Sequence, residues 1–269
     1  IFIIIAWGLS CLLHKRIPSK TRVLIAVLLI GGLTFMSHQQ VKFWKDTLTL
    51  FSRTVAMKEN NAFAHSNIAG ALLEQNKVEE AMSHLQKAIT LMPNDYNTLV
   101  RKARVYYVRG DHGSAVATLK RAIKSHPDYL RAYDDLYKIL IANGKTEEAL
   151  KEYENAVKAN QGVPEFCISY GNVLASNGKF DEAIMQYENV LKENPYHFGS
   201  HFNIGLVLIA KGQYEKAEVH FRKTISINPD YAPAHYRLAI LLKQKGMIDE
   251  AQNHYLKAIR INPALKNSN

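Results

Sequence analysis

Asn203 to Pro229 reads N-I-G-L-V-L-I-A-K-G-Q-Y-E-K-A-E-V-H-F-R-K-T-I-S-I-N-P. Two short amphipathic helices are legible in it, parted by Lys211-Gly212-Gln213. The second stops at Asn228-Pro229, because proline lacks an N–H and fixes its own φ. A shift of 34 residues in either direction recovers the pattern. Gly110, Gly144, Gly178, Gly212 and Gly246 fall in register. So do Ala81, Ala115, Ala149, Ala183, Ala217 and Ala251, and Pro93, Pro127, Pro195, Pro229 and Pro263. Three residue types held in phase over six periods identify a helical repeat array. The repeats begin near Ala62, Tyr96, Leu130, Pro164, Phe198 and Ala232.

A single amphipathic helix pair cannot bury its apolar stripes alone, so stacked neighbours must cover them. Alanines such as Ala149 and Ala183 fit where the two helices of a repeat approach closely. Leu85, Leu119, Tyr153, Tyr187, Phe221 and Tyr255 recur in mid second helix and are expected to fill the space between repeats. Period, turn glycine and trailing proline together resemble the tetratricopeptide repeat. The implied fold is all-α: two N-terminal transmembrane helices, then a right-handed solenoid of six 34-residue helix-turn-helix repeats.

The transmembrane expectation comes from the first 44 residues. Ile1–Leu13 carries no charge and reads as the end of a membrane helix whose start is cut away. H-K-R-I-P-S-K-T-R follows at His14–Arg22, with four basic residues and no acid. Val23–Met36 is again uncharged, about 14 residues or roughly 21 Å as a helix, and needs more chain to complete a crossing. Phe43 and Trp44 supply a candidate interfacial border against the lipid bilayer. The positive-inside rule puts the basic loop in the cytoplasm and the repeats on the periplasmic or luminal side of an integral membrane protein. The division expected is a transmembrane hairpin at residues 1–40, a connecting and capping helix at 41–61, and the repeats at 62–269. Those repeats are 62–95, 96–129, 130–163, 164–197, 198–231 and 232–265.

The formal charge is +10, from 34 Lys/Arg and 24 Asp/Glu. Residues 1–61 hold eight basic and two acidic residues, a net +6 that leaves only +4 on the repeats. The basicity therefore belongs mostly to the membrane-flanking loop, and nucleic acid is not an expected partner. Cys11 and Cys167 lie too far apart in this architecture to bridge. No N-x-[ST] triplet occurs, which favours a bacterial periplasm over an endoplasmic-reticulum lumen.

The run Q-x-x-x-W-K-D-T-L-T-L-F (Gln40 to Phe51), then E-N-N-A-F-A-H-S-N (Glu59 to Asn67), resembles the membrane-to-repeat junction of transmembrane and tetratricopeptide-repeat O-mannosyltransferases and their bacterial relatives. In that family an upstream multi-pass membrane part carries catalysis with a lipid-linked sugar donor. The resemblance covers residues 20–95 and implies such a part upstream as a partner of this chain, which itself has no catalytic residue to carry over. Asp46 matches a junction position and reads as structural, near a helix N-terminus.

Chemistry is otherwise sparse. No G-x-S-x-G, Walker A or G-x-G-x-x-G motif occurs, and no H-E-x-x-H accompanies His197 and His201. The histidines are spread over the repeats, so no metal and no cofactor is expected. Asp181-Glu182 and Asp249-Glu250 suit the positive end of a helix and need no other role.

Function must then lie in a surface, the face carried by the first helices. Its inward positions fall on Arg101, Arg104, Arg131, Asp134 and Lys138, and further along on Ile168, Asn172, Phe202, Leu206, Ile209, Tyr236 and Ile240. A protein or extended peptide is the expected ligand. Acidic residues would lie toward Arg101, Arg104, Arg131 and Lys138, and apolar ones toward Phe202, Leu206 and Tyr236. Asn67 and Asn203 resemble the asparagine ladder of O-linked N-acetylglucosamine transferase repeats, but Arg101, Asp135 and Ser169 interrupt it. Two readings remain: the acceptor-positioning part of a membrane glycosyltransferase, or a membrane-tethered assembly scaffold with no enzymatic part.

Overall fold

The computed structural model describes residues 27–37 and 46–267, all helix, turn or loop with no strand among them. The chain divides into two compact units, Ile1–Val108 and Arg109–Asn269.

In the first unit, residues 27–37 are helical and their apolar side chains are exposed, Leu28 and Met36 among them. No helix among the described residues is long and apolar enough to cross a membrane. Most of the expected transmembrane hairpin, with Phe43 and Trp44, lies outside the described residues.

Helix α1 (Thr47–Met57) is capped by Asp46, whose Oδ1 accepts from the Thr49 amide at 2.7 Å. That bond satisfies one of the amide donors a helix start leaves open. Leu48, Phe51 and Val55 of α1 pack on a core of Ile68, Ala69, Leu72, Leu85 and Val105, supplied by α2 (Ala62–Glu74), α3 (Val78–Leu91) and α4 (Tyr96–Val108).

The second unit holds α5 (His112–Ser125), α6 (Leu130–Ala142), α7 (Thr146–Ala159), α8 (Pro164–Ser176), α9 (Phe180–Glu193), α10 (Phe198–Ala210), α11 (Tyr214–Ile227), α12 (Ala232–Gln244) and α13 (Ile248–Ile261). A short 3-10 turn, Pro263–Asn267, follows. First helices start at 62, 96, 130, 164, 198 and 232, and second helices at 78, 112, 146, 180, 214 and 248. Each second helix of this unit packs on the first helix that follows it, and α6, α8 and α10 touch in succession. One apolar core therefore runs through the unit, from Tyr133 and Tyr153 through Phe166 and Tyr187 to Phe221 and Leu238.

The turn inside repeats one, three, four, five and six is built alike. The Lys145 amide reaches back to Leu140 O, Lys179 to Leu174 O and Gln213 to Leu208 O, at 2.8–2.9 Å. This closure needs a left-handed residue, which Gly178 supplies at φ +75°. The first repeat has Asn76 there instead, at φ +61°; asparagine tolerates that region best among non-glycine residues. Between repeats, proline is missing once. Gln161 stands in its register, and Gly162 at φ +82° makes the turn while Asn160 Nδ2 donates to Pro127 O at 2.9 Å.

Candidate functional site

The first-helix face of the second unit is assembled from α6, α8, α10 and α12. Arg131 and Lys138 are exposed on α6, one helical turn above and below Asp134 and Asp135. Lys138 Nζ stands 3.9 Å from Asp135 Oδ1, a loose contact between an exposed cation and a nearly buried carboxylate. Asp134 accepts a hydrogen bond from the Tyr153 hydroxyl. Burial first, and then the Asp134 carboxylate, raise the Tyr153 phenol above its ordinary range, so it stays a donor.

Asn172 is the polar centre of this face. It is exposed on α8, and its Oδ1 accepts from Tyr187 Oη at 2.7 Å and Asn203 Nδ2 at 3.3 Å. Those two donors orient the amide, and its Nδ2 donates to none of the described residues. Burial raises the Tyr187 phenol too, which keeps that donor protonated. Beside Asn172, Leu206 and Ile209 are half-buried on α10, and Ile240 is exposed on α12. Tyr236 is half-buried, with its ring 6.3 Å from Tyr255. Phe202 sits deeper than a groove position demands. Its ring lies 5.7 Å from Phe221 and 5.1 Å from Tyr231, and 9% of its surface is exposed. It anchors the floor of this face, and Leu206 presents the nearest open apolar surface.

Arg101 and Arg104 belong to α4, in the first unit. Arg101 is tied to α2: Nη1 donates to Ser66 Oγ at 2.6 Å and Nη2 to Asn67 Oδ1 at 3.2 Å. Gly70 leaves the room, since a Cβ there would stand 3.1 Å from Arg101 Nε. Arg104 is exposed. The structure thus brings Arg101 to Asn67, the first two positions of the interrupted asparagine register.

Among the described residues no group of three or more His, Cys, Asp or Glu could hold a metal ion. The histidines are not scattered as the sequence suggested. Six of them stand in three pairs, His65–His84, His201–His220 and His235–His254, each pair bridging the two helices of one repeat. The signal was a 19-residue spacing kept in the same phase of the 34-residue period.

Stacked antiparallel helix pairs with one continuous core and a polar-centred first-helix face define a helical-repeat scaffold of the protein-binding kind. The chain belongs to the tetratricopeptide repeat family. One family model described as Tetratricopeptide repeat matches residues 72–139 and 208–264, and a second of the same description matches 135–198 and 170–233. Protein O-mannosyl-transferase Tmtc3 of Drosophila melanogaster is 25% identical over 186 residues, covering 63% of this chain and 20% of its own length. Tetratricopeptide repeat-containing protein trd-1 of Caenorhabditis elegans is 26% identical over 124 residues, 46% of this chain and 16% of its own. The chain therefore spans a fifth or less of these relatives. The solved structure of pilF from Pseudomonas aeruginosa superposes with a TM-score of 0.52 at 19% identity, over 75% of this chain and 92% of that one, a likeness of fold alone.

Proposed function

We propose that the chain binds an extended polypeptide along its first-helix face. Asn172 offers its amide N–H groups to a ligand backbone carbonyl. Arg131 and Lys138 attract acidic side chains on one side of it, and Leu206, Tyr236 and Ile240 receive apolar ones on the other. The observation that carries the reading is Asn172, an exposed amide oriented by two donors on its oxygen, with uncommitted N–H groups between basic and apolar neighbours.

Fluorescence anisotropy with labelled acidic–apolar peptides tests it. Arg131→Glu with Lys138→Glu should weaken binding at least about tenfold and flatten its salt dependence. Asn172→Ala should weaken it about fivefold, the worth of one hydrogen bond near 1 kcal/mol. Stability should move little in the charge-reversal variant, whereas Asn172→Ala should cost about 1–3 kcal/mol because it takes the acceptor from the buried Tyr187 hydroxyl. Unchanged affinity in both overturns the reading.

We further propose that this face positions acceptor proteins for a membrane glycosyltransferase part upstream, with the repeats on the non-cytoplasmic side of the membrane. Support comes from the junction resemblance at Gln40–Asn67, the basic His14–Arg22 loop and the likeness to Tmtc3. Impermeant maleimide labelling of Ser226→Cys, with Cys11 and Cys167 replaced by serine, reads the topology. In spheroplasts, labelling only after the inner membrane is permeabilised contradicts it.

A further inference from the structure

The histidine pairs occupy the same two positions of repeats one, five and six. In each, Nδ1 faces Nδ1: 2.8 Å for His65–His84, 3.2 Å for His201–His220 and 2.7 Å for His235–His254. The first-helix ring also sets its Nε2 against a loop carbonyl six residues upstream. These are Glu59 O at 3.0 Å, Pro195 O at 3.2 Å and Pro229 O at 3.0 Å. A carbonyl can only accept, so that Nε2 carries the hydrogen. The Nδ1 of the neutral ring is then bare, and the second-helix histidine must donate its own Nδ1–H to it.

Three of the four ring nitrogens in each pair are thereby committed. A first proton goes to Nε2 of the second-helix histidine and leaves the Nδ1–H···Nδ1 bond in place, now charge-assisted. A second proton can only land on the first-helix Nδ1. It removes the acceptor and sets two imidazolium rings against each other. We propose that the three pairs are acid-released latches, which tie the two helices of repeats one, five and six together at neutral pH and let go in mild acid.

The surrounding charges rank the latches. Lys87 and Glu80 face His84. Lys257 and Asp230 face His235, and Glu250, Arg222 and Lys257 face His254. Glu250 Oε1 stands 3.8 Å from His254 Nε2, where it favours the first proton, but Arg222 Nη1 also claims Glu250 at 2.8 Å. Lys223 and His197 face His201, and His201 faces His220, with no carboxylate among these neighbours. Burial and then the partner ring push His220 down to about 4 from the ordinary 6.5. The fifth repeat is thus the most acid-sensitive.

A histidine held neutral in the fold binds fewer protons than it does in the unfolded chain. Its stabilisation is whole above about pH 6.5 and drains away as pH falls toward 4. The local opening constant should rise by up to about tenfold per pH unit for each such histidine. The latch belongs to the helix pair and works whether or not a polypeptide occupies the face.

Hydrogen exchange on the whole chain in detergent, corrected for intrinsic rates, tests it. Protection of α10 and α11 should fall steeply between pH 6.5 and 5. His201→Leu with His220→Thr copies Leu99 and Thr118, the residues at these positions in repeat two. That variant should lose the steepness by about tenfold per pH unit or more. A variant that tracks the native chain overturns the proposal. NMR titration of the native chain decides independently of whether the variant folds: His201 and His220 should both titrate below the ordinary histidine range, and ordinary titration of both rings, which puts two imidazoliums face to face with the fold intact, also overturns the latch.

Discussion

The third and fifth repeats share a backbone plan and differ at one residue that sets how closely their helices pack. In the fifth repeat it is Gly205, and a Cβ there would stand 2.6 Å from Cε1 of the fully buried Phe221 ring. The fourth repeat repeats the device with Gly171 beneath Tyr187. Repeats one, two and six place Ala69, Ala103 and Ala239 at this position. The third repeat places Tyr137 there, and α6 and α7 are packed less closely than α10 and α11. Tyr137 lies edge-on to Tyr153 at 5.9 Å, and its hydroxyl reaches into the next repeat. It accepts from Asn177 Nδ2 at 2.8 Å and sits 3.3 Å from Ser176 Oγ. One scaffold thus accepts both a glycine and a tyrosine at its tightest point. The tyrosine is tolerated because it exchanges contact within the repeat for contact with the neighbour.

Deleting what the glycine makes room for should cost most. Phe221→Ala removes a fully buried ring and should destabilise α10–α11 by about 3–5 kcal/mol, read as early loss of exchange protection in that pair. Gly205→Ala comes next. Overpacking against the ring should cost about 1–3 kcal/mol, set against about 1 kcal/mol of helix propensity that alanine brings. Gly70→Ala in α2 is the control, since its Cβ would meet only the flexible Arg101 side chain at 3.1 Å. There the propensity gain should prevail. Stabilisation by Gly205→Ala as large as that by Gly70→Ala would sink the close-approach account.

Much of this was legible before any coordinates. The 34-residue period and its glycine and proline marks locate every helix pair, because turn and terminator chemistry is local. What escaped depends on which positions face one another. Asn76 hides a left-handed turn, since asparagine is not obligatory there as glycine nearly is. Phe202 has the right face and the right chemistry for a groove, yet Tyr231 from the next loop closes over it. Arg101 reads as an inward cation, but Ser66 and Asn67 on α2 hold its guanidinium. The histidine pairs carried a 19-residue spacing that gains meaning only once those two helix positions are known to touch. For the membrane hairpin the comparison stops, because most of it lies outside the described residues.

Tyr137→Phe sharpens the third repeat at smaller scale. It keeps the ring against Tyr153 and removes the hydroxyl that Asn177 donates to. A loss of about 1 kcal/mol is expected, with protection falling at the α6–α8 contact rather than within α6–α7. Uniform loss across both would mean the hydroxyl holds its own repeat instead.

The smallest effect is expected at Gln186, on α9 of the fourth repeat. It stands where repeats one, five and six have the second histidine of a pair, and Cys167 stands where they have the first. The Cys167 thiol is raised by burial, so it stays protonated and adds no charge. The buried Oε1 of Gln186 has no hydrogen-bond partner among the described residues. Leaving an acceptor dry wastes part of what its burial costs, so the site should accept an apolar chain of the same length. Gln186→Met keeps the volume and removes the stranded oxygen. It should leave stability unchanged or raise it by up to about 1 kcal/mol in thermal unfolding, with no new pH dependence. A loss greater than about 1 kcal/mol would mean that the amide nitrogen holds α9 in place, and the likeness between the fourth repeat and its histidine-paired neighbours would then be one of position only.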